Sequence, residues 1–87
     1  MAANLNVGAV SVATTQTSIR NLTATRTALI IQNLGPYPIY IGPNGVTSVN
    51  GLRLQVNESV NDIFYVGQIY GIAVGGSSDV RYWEELV

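Results

Sequence analysis

The sequence lacks three residue types that carry much of enzyme chemistry, because it contains no cysteine, no histidine and no lysine. Without cysteine no disulfide can form, and without cysteine and histidine the usual ligands of zinc are missing. Nucleophilic catalysis generally needs a base such as histidine or lysine beside a serine, threonine or cysteine. We therefore expect a protein that is not an enzyme and that binds no cofactor.

Charged residues are also scarce, at 10% of the chain, whereas globular domains carry about 25%. The four basic residues are all arginines, and the formal net charge is −1. Nucleic-acid binding needs clustered cations, so nucleic acid is not expected as a partner. A surface near neutrality favours association, and interfaces are depleted in lysine and enriched in arginine and tyrosine. The composition therefore favours self-association or another protein partner.

Long apolar runs are absent as well. No stretch reaches the ~20 consecutive apolar residues that a membrane-spanning helix needs, and the first residues lack the basic and apolar regions of a secretory signal. The 87 residues allow a single domain, and a domain of this size buries only about 63% of its unfolded surface. Because so thin a core gains stability from association, we expect no membrane partner and a tendency to self-associate.

What the sequence does contain is a series of short apolar segments separated by turn residues. The segment 26–33, RTALIIQN, is β-branched, apolar and too short for a helix, so we predict a central strand covered on both faces. The segment 52–56, LRLQV, alternates and predicts a strand with Leu52, Leu54 and Val56 pointing inward. Further strands are predicted at 39–41, 62–66, 68–74 and 80–86.

Many short strands joined by turns predict an all-β fold, a small antiparallel β-sandwich or barrel that is jelly-roll-like. The polar residues 1–25 are predicted to form an N-terminal arm or an edge strand, and residues 26–87 the sandwich domain. The pair Asn-Gly at 50–51 predicts a tight hairpin turn. The last predicted strand ends in Glu84 and Glu85, and charges there are typical of an edge strand that must not pair further.

The carboxylates are the only remaining bases. Glu84 and Glu85 are adjacent, so on a strand they point to opposite faces and cannot act as a catalytic pair. Glu58 and Asp62 can approach each other across a loop, and with the neighbouring asparagines they offer oxygen atoms to calcium. Their spacing matches no known calcium loop, so we interpret the segment as a solvated turn and expect no metal site.

Aromatic residues and arginines are the side chains most typical of binding hot spots. Some of the seven aromatic residues are expected in the core, because Phe64 alone cannot fill a sandwich. Tyr37 lies in a proline-rich loop and is expected to be exposed. The residues that we predict at an interface are Arg26, Tyr37, Tyr40, Arg53, Tyr82 and Trp83.

From residue 26 onward the sequence resembles small virion proteins of tailed bacteriophages, of the head-decoration or minor structural kind. The resemblance is carried by RTALIIQNLG at 26–35, PIYIG at 38–42, GVT at 45–47, NG at 50–51, QIYGIAV at 68–74, SDVR at 78–81 and EEL at 84–86. It implies a β-sandwich subunit, often oligomeric, that is bound in many copies to a viral particle. It carries no catalytic motif.

The resemblance and the composition together lead to one expected function and two alternatives. The expected function is a capsid decoration or cement protein on the virion surface, bound to the major capsid protein, self-associated as a trimer and made in the bacterial cytoplasm. Residues 1–25 are then expected to act as a reaching arm. The first alternative is a fibre or tail module that binds host carbohydrate through Tyr37, Tyr40 or Trp83, and the second is another structural protein of the tail or neck.

Overall fold

A computed structural model describes residues 4–87, apart from the side chain of Asp62. Over this range the chain forms eight strands and no helix, which confirms the predicted all-β fold. The strands are β1 (Asn4–Val12), β2 (Thr17–Arg20), β3 (Arg26–Gly35), β4 (Ile39–Gly42), β5 (Leu52–Leu54), β6 (Ser59–Ile63), β7 (Ile69–Ala73) and β8 (Ser78–Leu86).

The eight strands form two antiparallel sheets of four strands each. Sheet A has the order β1-β8-β3-β6 and sheet B the order β2-β7-β4-β5. The first strand therefore lies beside the last, and successive strands mostly alternate between the sheets, which is the arrangement of a jelly roll. The edges are β1 and β6 in sheet A, and β2 and β5 in sheet B.

The core between the sheets is aliphatic. The alternation of β3 places Leu29 and Ile31 in the core while Ile30 and Gln32 point to the other side of the sheet. None of the seven aromatic residues is buried, so the expectation that several would fill the core is wrong, although Tyr82 packs against it. The core cluster consists of Val12, Ile19, Leu29, Ile31, Ile39, Ile41, Leu54, Ile69, Ala73 and Val80.

The predicted strands are mostly found, but several details differ. The last strand, β8, is not an edge, because it pairs with β1 on one side and β3 on the other. Strand β3 is central but is covered only on its inner face. The Asn-Gly pair at 50–51 belongs to the long connection between β4 and β5 rather than to a two-residue hairpin. Leu52 faces the same side as Leu54 but is 57% exposed, because the sandwich is open at that edge.

Within residues 1–25, the described part contains two strands. Strand β1 pairs along its whole length with β8, from Asn4 opposite Leu86 to Val12 opposite Ser78. Strand β2 is the edge of the other sheet, beside β7. Met1–Ala3, the first residues of the predicted arm, lie outside the described residues. A glycine stands in the middle of β1 because the ring of Tyr82 covers Gly8 and leaves no room for a Cβ atom.

Candidate functional site

Two of the predicted interface residues, Arg26 and Tyr82, lie inside the sandwich in a polar cluster around Glu84. Arg26 donates from Nε to Glu84 Oε2 at 2.8 Å, and Arg20 donates from Nη2 to Glu84 Oε1 at 2.6 Å. Asn6 Nδ2 lies 3.3 Å from the same Oε1 atom. We call Asn6, Arg20, Arg26, Tyr82 and Glu84 the acid–arginine cluster. The cluster joins the two N-terminal edge strands, β1 and β2, to strands β3 and β8.

The electrostatics of this cluster keep Glu84 ionised. Burial alone raises the pKa of a carboxylate. At Glu84 the hydrogen bonds from Arg20, Arg26 and Asn6, with the charge of Arg20, outweigh burial and lower the pKa from 4.5 to about 2. The same hydrogen bond raises the pKa of Arg20. The guanidinium of Arg20 also lies over the Tyr82 ring, 4.4 Å from its centroid.

Arg26 is 3% exposed, and its guanidinium is bonded within the chain. Besides Glu84, it donates to the carbonyl oxygens of Tyr65 at 2.7 Å, Gly67 at 3.1 Å and Asn21 at 2.8 Å. These carbonyls belong to the β6–β7 and β2–β3 connections. The structure therefore buries Arg26 in the interior, where it organises two loops.

The outer face of sheet A carries an apolar row that crosses three strands. Val7 on β1 is the register partner of Trp83 on β8, and Trp83 is the partner of Ile30 on β3. Leu5 lies one position further along the outer side of β1. We call Leu5, Val7, Ile30 and Trp83 the Trp83 face. Leu5, Val7 and Trp83 are 49%, 64% and 44% exposed, although the outer face of an antiparallel sheet is normally polar.

Polar groups border the Trp83 face. The indole Nε1 of Trp83 donates to Glu85 Oε2 at 3.0 Å, which fixes the orientation of the ring. Arg81 and Asp79, the two outward-facing residues that precede Trp83 on β8, form an exposed ion pair at 3.0 Å. A depression of about 420 Å³ lies between Val7, Gln32 and Arg81. The face thus has an apolar centre, a charged rim and a shallow depression, which are features typical of protein interfaces.

Tyr40 and Arg53 lie on the opposite side of the molecule. They are register partners on β4 and β5, on the outer face of sheet B. Tyr37 lies in the β3–β4 loop and is 38% exposed, as expected. One side of its ring covers Gly75 and Gly76, where a Cβ atom at either position would clash with the ring. The six predicted interface residues therefore form no single patch.

A buried polar network holds the loop that carries Tyr37. Asn33 is fully buried, and its Nδ2 donates to the carbonyl oxygens of Tyr37 at 2.9 Å and Leu54 at 3.0 Å. Its Oδ1 accepts from the N–H of Gly35 at 2.9 Å and lies 3.0 Å from Ser78 Oγ. Because Asn33 joins two loops to β8, the end of the sandwich under Tyr37 is rigid.

An apolar cleft separates the sheets at the edge formed by β5 and β6. Its volume is about 460 Å³, within the range of ligand pockets. Ile41, Leu52 and Ile69 line it from sheet B, and Val60 and Ile63 line it from sheet A. At the opposite edge of the sandwich, β1 contacts β2. The cleft is open to solvent and is lined mainly by apolar side chains.

The remaining chemistry of the described residues is limited. In the part of the chain that the structure describes, no three carboxylate, histidine or cysteine side chains are grouped as they would be to hold a metal ion. The carboxylate of Glu58 accepts the N–H of Gln55 at 2.6 Å within its turn, and the Asp62 side chain lies outside the described residues. None of residues 4–87 lies in a helix long and apolar enough to cross a membrane.

The sequence predicts Trp83 at an interface but gives no such prediction for Leu5, Val7 and Ile30 around it. Leu5 and Val7 belong to a segment, NLNVGAVSV, whose apolar residues stand at odd and even positions. That pattern, apolar on both faces of a strand, was available as a signal. The lining of the cleft had no such signal, because it depends on the separation of β5 and β6 in space.

Comparison with known proteins adds nothing to this picture, because no family model, no curated protein and no solved structure matches the chain.

Proposed function

We propose that this chain is a non-enzymatic structural subunit of a phage virion, a capsid decoration or cement protein that binds the major capsid protein lattice from outside. The observation that carries the proposal is the Trp83 face. The outer side of sheet A leaves a tryptophan and two branched aliphatic side chains exposed. Covering them with a partner would lower the free energy, because apolar surface is removed from water. Tryptophan at the centre of such a patch is the residue most enriched in binding hot spots.

Several properties of the molecule suit a subunit that is bound in many copies. A net charge of −1 leaves little repulsion between crowded neighbours. Weak individual contacts suffice when many copies engage one lattice. The acid–arginine cluster and the Asn33 network make both ends of the sandwich rigid, so little conformational freedom is lost on docking. Jelly rolls occur in viral capsid and lectin domains, which supports the proposal at the level of the fold alone.

The test uses capsids of the encoding phage that lack this protein, to which the purified full chain is added. The wild-type chain is expected to bind at a fixed ratio to the major capsid protein. Trp83→Ser should weaken binding about 30-fold, as expected for a hot-spot residue worth about 2 kcal/mol. Tyr37→Ser is the matched control, because Tyr37 is exposed to a similar degree on another surface. Absence of binding by the wild-type chain, or equal loss with both variants, would contradict the proposal.

A second candidate function is carbohydrate binding, and the position of Tyr37 favours it. Its ring is held flat against the glycines of the β7–β8 turn, so the opposite face is presented to solvent as a fixed platform. Sugar rings stack on such platforms. A glycan array separates the two functions: a specific signal that Tyr37→Ala removes and Trp83→Ser keeps supports the carbohydrate-binding module.

A third candidate, another structural role in the tail or neck, shares the same docking physics and differs only in location. Immunogold labelling of intact particles separates the positions. Label over the whole head surface supports decoration, and label confined to the tail or neck supports the third candidate.

A further inference from the structure

Of the four sheet edges, β1 alone lacks all of four features that proteins use to prevent edge-to-edge pairing. Those features are short length, register shifts, proline and charged side chains. Strand β2 has four residues, a register shift and Arg20, β5 has three residues and Arg53, and β6 has a register shift against β3. Three of the four edges are therefore protected.

Strand β1 differs in each respect. It has nine residues, and its register with β8 continues without a shift from Asn4 to Val12. Its sequence, NLNVGAVSV, contains no charged residue and no proline. Among residues 4–87 no strand pairs with its other edge, so a row of backbone N–H and C=O groups is available there for a further strand.

We propose that β1 pairs with β1 of a second copy of this chain, antiparallel and about a two-fold axis, so that the two A sheets form one continuous eight-stranded sheet. If all nine residues pair, the axis passes beside Gly8, and Val7 lies opposite Ala9 of the second copy. Such an interface is isologous, because each copy contributes the same strand. The absence of charge on β1 means that no like charges face each other across the axis.

The Trp83 face supplies a second reason for this pairing. Leu5, Val7 and Ala9 point to the outer side of β1, beside Trp83 and its neighbours on β8. Pairing across the axis brings the outer apolar side chains of both β1 strands together and partly covers Val7, which is 64% exposed in the single chain. The inner side chains of β1, including Asn6 in its bond to Glu84, keep their positions.

The inference does not depend on the proposed capsid function, because it concerns the free protein. Two other modes of self-association are a face-to-face dimer and a trimer, and the test separates both from the pairing of β1. A second copy packed face to face on the Trp83 face would also give a dimer, but it would not use the edge of β1. The trimer expected from the resemblance requires a different contact, since a two-fold pairing of one edge closes with two chains.

The test compares two lysine variants that lie in one row of sheet A. Ala9 and Gln32 flank Arg81 on the same outer face, Ala9 on the edge strand and Gln32 on the central strand β3. Light scattering over a concentration series should give a mass of two chains for the wild type. Ala9→Lys should weaken the dimer at least tenfold, whereas Gln32→Lys should leave it unchanged. Thermal unfolding of both variants at low concentration checks that each is folded.

Three results overturn the inference: a wild-type chain that stays monomeric at every concentration, a mass of three chains, or equal weakening by both variants, which indicates packing through the face. Hydrogen exchange provides a second readout. Raising the concentration should slow amide exchange in residues 4–12, and the slowing should be absent in Ala9→Lys. Concentration-dependent protection that leaves these residues unchanged also contradicts the pairing.

Discussion

At position 84 a carboxylate lies out of contact with water between two guanidinium groups. Removing a carboxylate from water costs several kcal/mol, roughly, and the cost is met only when its oxygens are fully bonded. Both oxygens of Glu84 accept hydrogen bonds from the two arginines, and Asn6 adds a further contact. Among the side chains that the structure describes, no buried nitrogen or oxygen atom lacks a partner. The cluster is therefore tolerated because it is complete.

Glu84→Gln should destabilise the fold strongly, because it leaves two arginines without their counter-charge. Breaking a buried ion pair from one side costs about 3 to 5 kcal/mol. Denaturant unfolding of the full chain measures the loss in the free energy of unfolding. Asp79→Asn is the matched control, since Asp79 lies on the same strand and pairs with an arginine, but at the surface. That variant should change stability little, and a similar loss in both variants would contradict the role of Glu84.

Acid should destabilise the protein through the same residue. The pKa of Glu84 is about 2 in the folded chain, compared with an ordinary value of 4.5, so the unfolded chain takes up the proton first as pH falls. The contribution of ionised Glu84 to the free energy of unfolding is therefore complete above about pH 4.5 and is lost as pH falls toward 2. The unfolding free energy of the wild type should decrease across this window, and that of Glu84→Gln should decrease less. Parallel curves for the two proteins would refute this assignment.

The opposite orientation of Glu84 and Glu85 was predictable from their adjacency, but the environment of Glu84 was not. Its arginine partners are 64 and 58 positions away in the sequence, and each lies on a different strand. Only the strand order brings them together. A Glu-Glu pair near the end of a strand is more often a solvated edge, so local reasoning led to the wrong interpretation of β8.

Among the structural elements, β3 has the widest role, because it contributes Arg26 at one end and Asn33 at the other. Asn33 connects the β3–β4 loop, the end of β5 and the start of β8 through a single carboxamide. The backbone of Asn33 also bonds to Asn57 and Glu58 in the next turn. These hydrogen bonds fix the β3–β4 loop and the β5–β6 turn to the sheet.

Asn33→Ala should destabilise the protein by at least about 2 kcal/mol, because it removes buried hydrogen bonds to the Leu54 and Tyr37 carbonyls and to the Gly35 N–H, of which the Tyr37 carbonyl keeps Ser78 as a donor. Gln32→Ala, one residue earlier on the exposed side of β3, should stay within about 0.5 kcal/mol of the wild type. Thermal and denaturant unfolding measure both variants. If Asn33→Ala were as stable as Gln32→Ala, the network would not hold the loops.

Apolar segments and turn residues predict that the strands exist. The residues at which each strand begins and ends depend on hydrogen bonding to neighbouring strands, which the sequence does not reveal. The predicted strand 62–66 is in fact β6, Ser59–Ile63, since Ser59 and Val60 pair with β3. The chain then leaves the sheet, and Phe64 is 69% exposed. Apolar character after residue 63 suggested a longer strand, but those side chains belong to the surface beside the cleft.

On the scale of the whole molecule, the two sheets are joined unequally. Strands β1 and β2 are in contact at one edge of the sandwich, whereas the apolar cleft lies between β5 and β6 at the other edge. The cleft is an open apolar groove of about 460 Å³ between the sheets. Because the core is aliphatic, no buried aromatic ring closes this edge, although the exposed Tyr65 lines the cleft.

The open edge should make the native protein bind an apolar dye such as anilinonaphthalene sulfonate, with enhanced fluorescence in conditions where the chain is folded. Leu52→Glu, which places a charge at the rim of the cleft, should reduce the enhancement severalfold. Val74→Glu adds the same charge at an exposed turn residue outside the cleft lining and should have little effect. Equal reductions would indicate a purely electrostatic effect, and no enhancement in the wild type would contradict an accessible cleft.

The position of the single tryptophan gives the molecule a built-in optical reporter. Most proteins bury tryptophan, so that its emission follows unfolding, but here the indole is 44% exposed on the outer side of sheet A, away from an aliphatic core. Covering the Trp83 face should shift the emission to shorter wavelengths, whereas a substitution inside the core should leave it nearly unchanged. The proposed docking through the Trp83 face can therefore be followed in solution with no attached label, and separately from folding.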